Sequence, residues 1–326
     1  MRLRTLGFFC IGIAVLVSGC GGRQSASTAQ SAFLPQSTFA LPAPLQTPAL
    51  LAVKYPTGDL EYWPIGKSRK TPILITRGLG LSQPSSMAAN GTTVAITNTT
   101  PREVVLYDVA SKKKTELPDP FGIPTDIAIN KKGTIFSLTI VKAGQVDVTM
   151  YNTGSKPKDF VCPVMSNIAW IAADNEGDIF LNGYGKFGIG VAEMPNGPNG
   201  LEANRCHALP IQPESGYVDG LAIDPKTDDL VVLDNPDLCA GGIEGMMTIY
   251  RKPYSKNTGS SVVLGGNCPY GLRLNADSTM LFYSDSDVSG SFSFMREDGY
   301  PGGAPIATYS GGEPIGFTTI PNTLPN

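Results

Sequence analysis

The stretches Pro124-Thr-Asp-Ile-Ala-Ile-Asn-Lys-Lys-Gly-Thr-Ile-Phe136, Ala169-Trp-Ile-Ala-Ala-Asp-Asn-Glu-Gly-Asp-Ile-Phe-Leu181 and Val218-Asp-Gly-Leu-Ala-Ile-Asp-Pro-Lys-Thr-Asp-Asp-Leu-Val-Val232 are three versions of one unit. Each is a short apolar run, a turn rich in Asn, Asp and Gly, and a second apolar run. Short runs enriched in β-branched and aromatic residues and split by such turn residues read as β-hairpins. Weaker copies run from Pro84 to Ile96 and from Pro269 to Phe282.

Taking Met87, Ile127, Ile171, Leu221, Leu272 and Phe317 as the apolar anchors of successive first strands, the steps are 40, 44, 50, 51 and 45 residues. That period is the blade length of a β-propeller. Third strands align too: Leu60-Glu-Tyr-Trp63, Val104-Val-Leu-Tyr107, Val148-Thr-Met-Tyr151, Met247-Thr-Ile-Tyr250 and Phe292-Ser-Phe-Met295. No segment carries a convincing amphipathic helix. The stretch from Leu50 to Tyr55 reads as a second strand with no first, and Phe317 lies in a first strand with almost no chain after it. The C-terminal strand therefore supplies the innermost strand of the blade begun by the N-terminal strand, which removes an open sheet edge. The expectation is an all-β, six-bladed β-propeller over residues 49–326, with circular closure of its N- and C-terminal strands.

In such a blade the second-to-third and outer-to-inner connections share one face. Asn98, Asn182, Asp234 and Asp285 follow the second strands eleven or thirteen residues after the anchors, where Asn and Asp commonly turn a chain. With Asp219 and Glu313 they form the candidate ligand rim. Tyr62, Trp63 and Trp170 are expected to pack between blades, and His207 to lie at a blade edge. Of six cysteines, Cys162, Cys206, Cys239 and Cys268 remain outside the N-terminal segment, and an even number in an exported chain suggests disulfides. Their blade positions pair Cys162 with Cys206 and Cys239 with Cys268. With a single His, a zinc site of the usual spacing has no support.

The repeat pattern resembles the NHL-repeat and gluconolactonase-like, TolB-type six-bladed propellers over residues 49–326. The gluconolactonase resemblance implies a divalent cation at the channel mouth. Glu313 in Gly-Glu-Pro-Ile-Gly and Asp234 in Leu-Val-Val-Leu-Asp stand at two of its ligand positions. Asp219-Gly-Leu stands where the family has Asn-Gly-Leu, and a second Asn is lacking. No metal and no cofactor are therefore expected. G-x-S-x-G, P-loop and H-E-x-x-H motifs are absent from the sequence.

The chain opens Met1-Arg-Leu-Arg4, continues with an apolar run from Leu6 to Val17 and reaches Val17-Ser-Gly-Cys20. A basic stretch, about a dozen apolar residues and small residues before a cut site make a secretory signal over residues 1–19. The run is shorter than the roughly 20 residues that span a bilayer. Residues 17–20 resemble the lipobox of bacterial lipoproteins, which implies that Cys20 is acylated and becomes the first residue of the mature chain. Gly21 is not Asp, which by the same resemblance favours the outer membrane of a two-membrane cell envelope. Residues 20–48, with a Ser/Gln/Ala/Thr stretch and Pro35, Pro42, Pro44 and Pro48, read as a tether.

Loss of residues 1–19 removes Arg2 and Arg4, leaving 23 basic against 28 acidic residues, a balance of −5. An acidic domain whose one basic run, Lys112-Lys-Lys114, reads as a solvated turn is not expected to bind nucleic acid. The expected function is a monomeric, membrane-anchored binding or scaffold module, held to the bilayer by Cys20, for a peptide, glycan or protein ligand. The alternative is a metal-dependent lactonase-like hydrolase or lyase using Glu313, Asp219 and Asp234.

Overall fold

A computed structural model of the chain describes residues 48–54, 57–65, 71–142, 144–152, 155–198, 200–211, 218–234, 245–264, 269–286, 292–302, 305–310 and 314–320. The chain divides into two units, Met1–Ala40 and Leu41–Asn326, and every described residue belongs to the second. The signal, Cys20 and most of the tether thus lie outside the described residues, as do Cys239, Cys268 and Glu313.

Each quoted hairpin forms the two inner strands of a four-stranded antiparallel sheet, and six such sheets are the blades. Blade 1 joins the two ends of the chain. Its order is β26 (Pro314–Ile320), β1 (Ala49–Lys54), β2 (Asp59–Pro64) and β3 (Ile73–Thr76), with Ala49 paired to Ile320. Blade 2 holds β4 (Pro84–Asn90), β5 (Thr93–Asn98), β6 (Glu103–Asp108) and β7 (Lys113–Pro118). Blade 3 holds β8 (Ile123–Ile129), β9 (Ile135–Lys142), β10 (Gln145–Tyr151) and β11 (Lys158–Phe160). Blade 4 holds β12 (Met165–Ala173), β13 (Ile179–Gly185), β14 (Gly188–Met194) and β17 (His207–Ala208), with a hairpin of β15 (Asn196–Gly197) and β16 (Gly200–Leu201) inserted before its outer strand. Blade 5 holds β18 (Val218–Ile223), β19 (Leu230–Asp234), β20 (Met246–Tyr250) and β21 (Gly259–Val263). Blade 6 holds β22 (Pro269–Leu274), β23 (Met280–Ser286), β24 (Phe292–Gly299) and β25 (Pro305–Ser310). The protein is a six-bladed β-propeller closed between its terminal strands, and no α-helix occurs among the described residues.

Six hydrophobic clusters fill the six grooves between neighbouring blades. Alternate residues of one strand serve two grooves. On β5, Val94 and Ile96 face blade 1 while Ala95 faces blade 3. Both faces of these sheets are buried, so their strands read as continuous apolar runs rather than as an alternation. Tyr62 packs in the groove between blades 1 and 2 and Trp63 in that between blades 6 and 1.

The inner strands β26, β4, β8, β12, β18 and β22 follow one another around the axis. Each breaks register with its partner near its start: between Pro84 and Met87, Pro124 and Asp126, Ile168 and Trp170, Val218 and Gly220, Tyr270 and Arg273, and on β26 opposite Val53 and Lys54. An extra residue bends and twists a strand. Here the bend recurs wherever the strands converge. Small residues permit the approach: a Cβ on Gly316 would lie 2.8 Å from Ser86 Cα, and one on Gly220 would lie 3.1 Å from Leu272 Cβ.

Cys162, just after β11, is bonded to Cys206, just before β17. The cysteine of blade 4 thus precedes its outer strand, where the sequence reading has both at outer-strand ends. The segment from Pro195 to Cys206 reaches back to blade 3, where Gly200 approaches Met150 and Leu201 joins the blade 3–4 core.

Candidate functional site in the axial channel

The residues flanking the six anchors form two rings around the axis. Just after the anchors stand Ala88, Ala128, Ala172, Ala222, Arg273 and Thr318. Just before them stand Ser86, Asp126, Trp170, Gly220, Gly271 and Gly316. In each ring small side chains clear space and one large side chain enters it.

Arg273 reaches from blade 6 to blade 2. Its Nη2 donates to Met87 O at 3.2 Å and its Nη1 to Leu272 O at 2.8 Å. The same Nη2 lies 3.7 Å from Asp126 Oδ1 on blade 3. Asp126, 3% exposed, also accepts from Ser86 Oγ at 2.6 Å and from Ile171 N of blade 4 at 2.9 Å. One carboxylate and one guanidinium therefore tie together inner strands from blades 2, 3, 4 and 6. Burial lowers the guanidinium's pKa, and Asp126 opposes the shift.

Arg273 also marks the floor of a cavity of about 390 Å³ on the face of the first-to-second-strand turns. Its wall joins aliphatic side chains, among them Ala88, Ala128, Ile129, Ala172, Ala222 and Ile223, to the charged Lys131 and Asp174, and among the described residues no aromatic lines it. Around its mouth, Asn130 Oδ1 accepts from Lys132 N and Thr134 N at 3.0 and 2.9 Å, and Asn175 Nδ2 donates to Asp228 Oδ1 at 2.8 Å. Asn90 Nδ2 donates to Asn130 O at 3.0 Å. These bonds fix the three amides at the mouth and occupy only part of their capacity. Asn90 Oδ1, Asn130 Nδ2 and Asn175 Oδ1 keep hydrogen-bonding capacity for a ligand.

On the other side of the network, Trp170 packs edge-on against Tyr270, with ring centroids 4.8 Å apart. Tyr270 is 39% exposed, yet desolvation first, and then Asp219 and Asp126, push its phenol up to about 12.

Of the six residues predicted to form the rim, the structure describes the side chains of Asn98, Asn182, Asp219 and Asp234. Asn98 is fully buried; its Oδ1 accepts from Ser82 N and Gln83 N, both at 3.1 Å, and its Nδ2 donates to Glu103 Oε1 at 2.9 Å. It fixes the loop entering blade 2. Asn98, Asp234 and Asp285 share one register, each opposite the first residue of an inner strand. Asn182 pairs instead with Trp170, one position off, so its side chain leaves the opposite face of its sheet. It is fully buried, and neither amide atom has a partner in the structure. Asp234 is buried, and Asp219 is half-buried beside Tyr270. The side chain of Asp285, like Glu313, lies outside what is described. Asn98, Asn182, Asp219 and Asp234 do not line the cavity, which opens on the opposite face. Among the described residues no three His, Cys, Asp or Glu side chains converge as metal ligands would.

Two solved structures are similar to this chain. A chain of a nidogen/laminin complex aligns with TM-score 0.64 at 16% identity, covering 85% of this chain and all of that one. TolB from Acinetobacter baumannii aligns with TM-score 0.57 at 12% identity, covering 86% of this chain and 68% of that one. At such identities the likeness shows the fold, a six-bladed propeller. No protein-family model and no curated protein sequence matches the chain.

The axial pair escaped the sequence reading because Asp126 and Arg273 are far apart in the chain. The signal lay in the anchors: one step beyond them the sequence reads Ala, Ala, Ala, Ala, Arg, Thr, and the one charged residue in that column is the one that enters the channel.

Proposed function

We propose that this propeller is a binding module of the cell envelope, held to a membrane through acylated Cys20, whose ligand enters the axial cavity above Arg273. The cavity carries the reading: its volume falls within the roughly 300–1,000 Å³ of small-ligand pockets, and it joins aliphatic walls to a few fixed polar groups. A sugar ring seeks an aromatic face to stack on, and among the described residues this lining offers none. A short peptide with small aliphatic side chains suits it better, its amide groups meeting Asn90, Asn130 and Asn175. The similar chain solved within a nidogen/laminin complex supports a binding role. The lactonase reading leans on Glu313, Asp219 and Asp234, of which Glu313 lies outside the described residues and Asp234 is buried.

The test is a fluorescence-anisotropy screen of random-sequence hexapeptides on the mature chain. Binders rich in Ala, Val and Leu are expected, and they should be lost in Ala276→Trp, which overhangs the mouth from an exposed turn position. Peptides that bind the variant equally well, or lactone turnover that survives it, would refute this assignment. Labelled palmitate should enter the native protein and not Cys20→Ser; equal labelling of the two would remove the anchor.

A further inference from the structure

On the strand ends and connections of the second-to-third-strand face in blades 2–4, the exposed ionised side chains are Arg77, Arg102, Lys142 and Lys186. Among the described residues there, no Asp or Glu is exposed. Glu103 is buried against Asn98, and buried Asp119 accepts from Thr139 Oγ1 and Tyr151 OH, both at 2.7 Å. On the opposite face the first turns of blades 3–5 carry exposed Lys131, Lys132, Glu176 and Lys226 beside the buried or half-buried Asp174, Asp178, Asp224, Asp228 and Asp229.

The same sector carries large apolar side chains in the open. Phe121, Val141, Val161 and Tyr184 are 36, 38, 50 and 48% exposed. Backbone contacts join them in pairs: Gly122, next to Phe121, abuts Ile140 O, and Lys186 N donates to Val164 O at 3.0 Å. Exposed apolar side chains that lie together mark interaction sites. Aromatic and aliphatic tips interleaved with cations, without anions, suit the boundary between anionic headgroups and acyl chains.

We propose that this sector of blades 2–4 docks on an anionic phospholipid surface. The inference rests on the envelope reading above and adds an orientation to it: the cationic, apolar face lies on the membrane and the cavity opens away from it. The tether permits this. β1 begins at the cavity face, beside Ile320, and any 28 residues, the number from Gly21 to Pro48, span at most about 90 Å. A domain of this size has a radius of gyration of about 19 Å. The occupant is committed by charge complementarity, since a neutral surface would draw nothing from the four cations.

The experiment uses the mature chain from Gly21, which lacks the acylated cysteine, and sucrose-loaded vesicles. One set is phosphatidylcholine alone; the other is three parts phosphatidylcholine to one part phosphatidylglycerol. Sedimentation with the anionic vesicles only, weakening as salt is raised, is the expected result. Each basic group near such a surface contributes about fivefold, so Lys142→Gln with Lys186→Gln should lower partitioning about 25-fold while leaving the melting curve unchanged. Phe121→Ser with Tyr184→Ser should lower it as well. Absence of binding, equal binding to both vesicle sets, or indifference to the lysine pair would overturn the proposal. So would binding to polyglutamate without sedimentation on vesicles, which would assign the sector to an acidic protein. Because the chain tested carries no lipid, failure here is separate from failure of acylation at Cys20.

Discussion

Replacing Asp126 by alanine tests the axial network directly. The substitution removes the acceptor of Ile171 N–H, a buried backbone donor, at a cost of about 1–3 kcal/mol. It also strands Arg273, whose side chain is 16% exposed. Removing one partner of a buried pair costs about 3–5 kcal/mol. The lower end applies here, because Arg273 keeps its bonds to Met87 O and Leu272 O. The expected loss is about 4–6 kcal/mol, a large part of the roughly 5–15 kcal/mol that holds a domain together. Arg273→Met should cost less, since the Asp126 carboxylate keeps the Ser86 hydroxyl and the Ile171 amide. The double variant Asp126→Ala/Arg273→Met then buries no unpaired charge. It should fall short of the sum of the singles by about 2 kcal/mol, within the range seen for coupled neighbours. Urea unfolding at pH 7.5, followed by circular dichroism and tryptophan fluorescence, measures all three. If the single losses add within about 0.5 kcal/mol, or if Asp126→Ala alone costs less than about 1 kcal/mol, the network does not hold the ring as described.

Two further expectations concern stability. Burial, then Asp147, then Asp119 push Asp159 up to about 6, above its usual carboxylate value, so the folded chain holds this proton more tightly than the unfolded one. Its stabilising contribution is fully present below about pH 4 and is lost as pH rises through about 6. Asp159→Asn should therefore match the native protein at pH 4 and exceed it by about 1–2 kcal/mol at pH 7.5, the partial exposure of the site reducing the full shift. Equal melting temperatures at pH 7.5 would contradict this. Cys162→Ser should cost about 2–4 kcal/mol, typical for a loop of this length, and should expose the Pro195–Cys206 segment to proteolysis before any blade is cut. Digestion that begins elsewhere would show that the bond does not secure that segment.

The blades were legible because the propeller buries both faces of every sheet, which leaves apolar runs and turn residues at a regular spacing. Circular closure was legible for a related reason: Leu50 begins a strand with no partner before it, and Phe317 lies in one with no partner after it. The site was less legible. Counting from the anchors put Asn98 and Asn182 at the same distance, eleven residues, but the turns between first and second strands differ in length. The same count therefore ends on opposite faces of two sheets. Cys206 was placed at an outer-strand end because the inserted β15–β16 hairpin is too short to show as strands in sequence. The cavity was not anticipated, since alanines at one column of a repeat look like filler until the ring is closed around them.

The closing strand has a consequence for how the protein is made. Ala49–Lys54 emerges before the other strands of the ring, yet its partner Pro314–Ile320 is synthesised after all of them. Until then the backbone edge of β1 that pairs with β26 has no strand beside it. An unpaired edge of this kind recruits other strands. A chain ended even ten residues early would lose the strand that seals its first blade, so one short C-terminal segment decides whether the other blades form a closed body or an aggregating one.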